Sequence, residues 1–247
     1  MTAAINGKDD RANELFGEML QKVLDSGWKP RQEKEKTLVG FWSLTGSHWS
    51  GDLMVVGRFV NGWTAHERFD DIVDLSKRDQ FVKHLITTEF HQAPCPTTKF
   101  WRELCERHYR SPFWYAIRDV SAALRLGEDW ISKLVYSSLY RLGPKTGNPS
   151  SSLCSLQLDG CRKLFQYELE LRHPRRVLIM TGRNWAKPFL EAMRMKERTP
   201  GDLRYVDYVG DFLGAPGSVR IVVSKHPQGK RRQPLVAEVL SAFDEGR

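Results

Sequence analysis

Largely apolar runs alternate along this chain with longer segments whose apolar positions recur every three or four residues. The runs fall at residues 53–56, 135–142, 176–181 and 219–224, are rich in Val, Leu and Ile, and stop at a Gly or, for the last, shortly before Pro227. Short apolar runs bounded by turn-formers read as buried strands. A weaker run at 204–209 is a further strand candidate. Helical spacing appears first over residues 10–26, through Leu15, Phe16, Met19, Leu20, Val23 and Leu24, and stops at Gly27 and Pro30. Asp74 or Ser76 suits the cap of a helix carrying Phe81, Leu85, Ile86 and Phe90. Further helices are predicted over 99–109, 113–126, 156–171, from Gly182 through 195, and over 235–243. Strands alternating with helices predict an α/β fold, a three-layer α/β/α sandwich whose central, mainly parallel sheet has four strands. Residues 1–36 are expected to be an N-terminal helix and polar connector packed on a single domain over 37–247.

Composition narrows the class. The chain has 247 residues, 40% of them hydrophobic, including 8 Trp, which fits a folded protein. No apolar run approaches the roughly 18 residues that span a bilayer. The N-terminal residues lack the apolar core of a signal peptide, so a cytoplasmic protein without membrane association is expected. A net charge of +8 favours polyanionic partners. Cys95, Cys105, Cys154 and Cys161 lack CxxC spacing and read as reduced thiols. His84, His91 and His108 lack metal-like spacing and read as helix-face residues. No GxGxxG, Walker or GxSxG pattern follows any strand. No cofactor or metal is expected, and a monomer is.

Two stretches carry candidate chemistry. In the first, SVRIVVSKHPQGKRRQPL (218–235), Pro227 must end the strand because it offers no donor to the ladder. That leaves His226 at the strand's carboxyl end, where ligands sit in open α/β sheets. Gly229 permits a tight turn, and Lys230, Arg231 and Arg232 follow with no acid between them. The triplet is either a solvated turn or a phosphate contact. In the second, WSGDLMVVGRFVNGW (49–63), a buried strand meets a loop at Gly57, and Asn61-Gly62 suits positive φ.

Four segments, taken in order across roughly residues 50–240, resemble one family. They are LMVVGRFVNGW, VYSSLYRLGPKTGNPS, CRKLFQYELELRHPRRVLIMTGRNW and SKHPQGKRR. Together they resemble the uracil-DNA glycosylase superfamily: its first strand and water-positioning loop, its base-recognition strand, its helix, Pro turn and third strand, and its His-Pro loop, which enters the DNA minor groove. The chain departs from that pattern at Arg58, Phe59 and Val60, where the family has an acid or amide followed by Pro. Ser138 stands where the family commonly has Asn. Only Cys161 aligns with a cysteine of the iron-sulfur branch, so no cluster is implied.

The resemblance implies a monofunctional DNA glycosylase acting on DNA without metal or cofactor. Base release passes through a cation-like sugar and an anionic departing base, so it needs a group that holds water and a donor for the base. His226 takes the donor role. Asn61 is the candidate for the water, with Glu67, Asp70 and Asp71 behind it; the alternative for Asn61 is a turn-former beside Gly62. Arg58, Phe59, Trp63, Phe69 and Ser138 are the candidate base contacts. The aromatics either stack on a flipped base or fill the core, and Ser138 either meets the base edge or ends the strand. Lys225, Gln228, Lys230, Arg231 and Arg232 are the candidate DNA contacts. Asn61-Gly62 stands in place of the bulky residue that screens the pyrimidine 5-position in uracil-specific enzymes, so that either a hypermodified viral pyrimidine or a neighbouring tryptophan fills the space. A catalytically inactive DNA-binding protein on the same fold is the alternative, favoured by the missing acid.

Overall fold

Burial on both faces explains why the central strands are legible as apolar runs. A computed structural model describes residues 3–31, 35–60, 66–87, 111–193, 195–198, 203–215 and 217–244. In chain order its elements are α1 (Ala3–Asp25), β1 (Thr37–Gly40), β2 (Ser43–Thr45), β3 (Leu53–Gly57), β4 (His66–Arg68), α2 (Phe69–Ile72) and α3 (Leu75–Thr87). There follow α4 (Pro112–Ala123), a 3₁₀ turn (Trp130–Lys133), β5 (Leu134–Ser138), β6 (Leu142–Pro144), α5 (Ser151–Arg172), β7 (Arg176–Ile179) and α6 (Arg183–Leu190). The last are β8 (Met195–Arg198), β9 (Val206–Ala215), β10 (Gly217–Ser224) and α7 (Arg232–Asp244). The chain divides into two compact units. Met1–Ser43, Arg58–Gln92 and Ser138–Leu171 make the first, and Leu44–Gly57, Ala93–Ser137 and Arg172–Arg247 the second. Helix α1 therefore belongs to the first unit, and residues 37–247 are shared between both.

The second unit is built on a seven-stranded sheet ordered β2-β5-β3-β7-β10-β9-β8. Strands β3, β7 and β10 pair in parallel, while β9 and β8 extend the sheet antiparallel. The four predicted strands are the contiguous middle of this sheet, which has three strands more than expected. Register sets Val55 beside Leu178 and Leu178 beside Val222. That row belongs to the same core as Ala116, Ile117 and Val120 of α4 and Leu235, Val239 and Phe243 of α7. Burial of each such large aliphatic or aromatic side chain contributes roughly 1.5–3 kcal/mol. The alternate residues Met54, Val56, Val177, Ile179, Ile221 and Val223 are just as buried. Arg220 and Asp211 face each other across β10 and β9, joined at 2.7 Å, and Arg220 also donates to Ala242 O at 3.0 Å. One guanidinium thus pins the hairpin register and satisfies a carbonyl near the end of α7.

The first unit holds an antiparallel three-stranded sheet, β4-β1-β6. The run predicted as a single strand over 135–142 is therefore two strands in different sheets, with Ser138 Oγ donating to Tyr140 O at 2.9 Å between them. Helix α1 packs on α3, whose cap is Asp74, one of the two residues the sequence offered, accepting from Lys77 N–H at 3.0 Å. Phe81, Leu85 and Ile86 of α3 are buried. Gly160 of α5 lets Met19 of α1 approach, because a Cβ there would overlap the Met19 side chain and lie 3.2 Å from its Cα. Gly160→Ala is expected to cost about 1–3 kcal/mol by overpacking, read as a lower urea midpoint with unchanged m.

Other sequence expectations shift at their boundaries. The helix predicted to reach residue 195 stops at Leu190, two residues after Pro188 withholds a donor, and Met195–Arg198 is the strand β8. The last helix begins at Arg232 rather than at residue 235, which moves that arginine out of the basic loop. The predicted helix at 99–109 lies outside the described residues. Among the described residues no helix is long and apolar enough to cross a membrane. Burial pushes the Cys154 thiol up to about 11 and the Cys161 thiol up to about 12, so both stay protonated and unreactive at neutral pH.

Candidate functional site

Parallel pairing aligns strand ends. Val56 lies beside Ile179 and Ile179 beside Val223, so the carboxyl ends of β3, β7 and β10 share one edge of the second unit. His226 follows β10 at that edge. Its ring stacks on Phe113, the second residue of α4, with centroids 6.2 Å apart and planes 22° apart. Phe113 also meets Trp114 at 5.4 Å and Tyr136 of β5 at 6.0 Å, each nearly edge-on. Gly57 closes β3 against the same group: a Cβ there would lie 3.3 Å from Tyr136 Oη and 3.6 Å from the Phe113 ring. Burial raises the Tyr136 hydroxyl above its ordinary range, so it remains a neutral donor.

A short turn fixes the histidine's chemistry. Gln228 N–H donates to His226 Nδ1 at 3.2 Å. In the neutral imidazole the proton then sits on Nε2, which makes that atom a donor. Lys230 N–H donates to Pro227 O at 3.0 Å, and Gly229 has φ +71°. This is a β-turn whose third residue needs positive φ, hence glycine. Gln228, Lys230 and Arg231 are exposed on it.

The remaining cationic candidates, Lys225 and Arg232, are partly exposed and have partners within the unit. Lys225 Nζ donates to Arg204 O at 2.6 Å and lies 3.9 Å from Asp207. Arg232 lies 2.8 Å from Asp119 and over the Tyr115 ring. The sequence placed both among the candidate DNA contacts; the structure shows each ion-paired within the unit while its side chain stays over 40% exposed.

In the first unit, Phe59 is buried against the backbone at Gly143, and Phe69 packs edge-on against Trp28 at 5.4 Å. Of the alternatives left open for these aromatics, the core one matches their packing. Ser138 is buried, and its hydroxyl closes the end of β5 onto Tyr140 O. Arg58 is half-buried, and burial lowers its guanidinium. Among the acids placed behind Asn61, Glu67 and Asp70 are exposed. Asp71 accepts from Lys77 at 2.8 Å, which holds its carboxyl below the usual range. Asn61 and Trp63 lie outside the described residues. Among the described residues, no three His, Cys, Asp or Glu side chains are grouped as metal ligands.

Sequence reasoning missed Phe113, Trp114, Tyr136 and Asp119. The aromatic run 113–115, set directly after Pro112, and the lone aromatic in β5 are the signals that pointed to the three aromatics; no local signal pointed to Asp119. No family model matches the chain, and no curated protein matches it.

Proposed function

We propose that this protein is a monofunctional DNA glycosylase. It flips a pyrimidine, uracil or a bulky 5-modified base such as those in viral DNA, and hydrolyses the N-glycosidic bond. Water adds at the sugar carbon, the carbon–nitrogen bond breaks, the base leaves with its electron pair and a proton, and an abasic site remains. The observation that carries the reading is His226 at the carboxyl end of β10, with Nδ1 accepting from Gln228 N–H, which puts the proton of the neutral ring on Nε2. Such a donor stabilises negative charge on a departing base. The adjoining exposed Lys230 and Arg231 suit the phosphates around it. On this reading Phe113 and Tyr136 line the base side of His226, and the sheet is the middle layer of an α/β/α sandwich of the glycosylase kind. The protein acts in the cytoplasm as a monomer, without cofactor.

Arg58-Phe59-Val60, which carries no acid or amide, favours a second reading: a DNA-binding protein on the same fold without catalysis. One assay separates them. Duplexes containing uracil, and DNA carrying 5-modified pyrimidines, are incubated with the protein and then treated with alkali. A glycosylase yields strand breaks at the modified positions. Binding without breaks on any substrate overturns the catalytic reading and leaves the binder.

A further inference from the structure

Cationic surface continues past the His226 turn onto α4. Asp119 accepts from Arg118 Nε at 3.1 Å and Nη2 at 3.0 Å, and its other oxygen lies 2.8 Å from Arg232 Nε. The Tyr115 ring takes both guanidiniums on its surface, Arg118 at 5.4 Å and Arg232 at 5.2 Å from its centroid. One carboxylate and one ring therefore hold two arginines in place. Both arginine side chains are 41% exposed, whereas that of Asp119 is only 16% exposed, so the cations are more open to water than the anion that pairs them. The two arginines outnumber the carboxylate, and the exposed neighbours Lys230 and Arg231 add to the excess.

Stacked, ion-paired guanidiniums have lost much of their rotamer freedom before any ligand arrives, and their planar donor sets match phosphate oxygens. The charge excess excludes a cationic partner, and a repeating phosphate backbone fits several cations along one surface. Resting on the DNA reading above, we infer that α4 extends the DNA-backbone contact beyond the His226 turn. Arg118 is a direct phosphate ligand there, and Tyr115 is the platform that positions Arg118 and Arg232.

Fluorescence anisotropy of a labelled DNA duplex, across a series of salt concentrations, tests this. Arg118→Gln should weaken binding alike for all sequences and lower the slope of log affinity against log salt by about 1. Arg118→Lys should restore the slope, because counterion release counts charge. Tyr115→Leu should weaken binding with the slope retained, and the unfolding midpoint of each variant checks its fold. If Arg231→Gln lowers the slope while Arg118→Gln binds as the parent does, the surface ends at the turn. That outcome overturns this inference and leaves the DNA reading standing. If the parent chain binds neither duplex nor single-stranded DNA, both fall.

Discussion

Arg141→Met, made with Glu168 left in place, should remove about 3–5 kcal/mol of stability, because it strands a buried carboxylate without its partner. Both side chains are fully buried in the first unit and joined at 2.7 Å. Arg141 also donates to Trp42 O and lies 5.2 Å from the centroid of the Trp42 ring. Gln157 completes the network: its carbonyl accepts from Arg141 N at 3.0 Å and Leu142 N at 2.8 Å, and its amide donates to Leu142 O at 2.7 Å. The buried charge therefore ties α5 to the strand that pairs with β1. Replacing both members, Arg141→Met with Glu168→Leu, should recover most of the loss, since an apolar pair of similar volume avoids the desolvation cost. Urea unfolding of the two single variants and the double one closes the cycle. A single variant that unfolds like the parent would show that the pair carries no such coupling.

On the glycosylase reading, His226→Ala should lower the single-turnover rate of base release about 10²–10³-fold, the usual cost of removing one preorganised donor to a developing anion. Duplex affinity should change little, because Lys230 and Arg231 remain on the turn. His226→Ala in an inactive binder has no rate to lose, so the same variant distinguishes the two readings. A parent enzyme that releases base as fast with alanine at 226 as with histidine would remove His226 from the mechanism.

The central strands were legible because β3, β7 and β10 bury both faces, which leaves no room for polar alternation. The segment around Arg141 was not. A charged residue counts as surface in a hydrophobic pattern, yet Arg141 is buried by pairing with Glu168, so the break between β5 and β6 was hidden. Strands β1, β2 and β8, of three or four residues, are too short to show a period. The start of α7 was missed because Arg232 and Gln233 offer no apolar face. At the site, His226 could be read from local grammar alone, since Pro227 must stop the strand. Its stacking on Phe113, and the grip of Asp119 on Arg232, join residues far apart in the chain. Local spacing carries no information about such pairs.

The outer strand of the large sheet, β8, consists of Met195, Lys196, Glu197 and Arg198. Lys196 and Glu197 are exposed, on the strand that ends the sheet. A terminal strand presents backbone groups ready to recruit a strand from another molecule, and charged side chains discourage that recruitment. Wherever copies of this chain are concentrated, a charged border of this kind opposes their fusion into fibrillar aggregates.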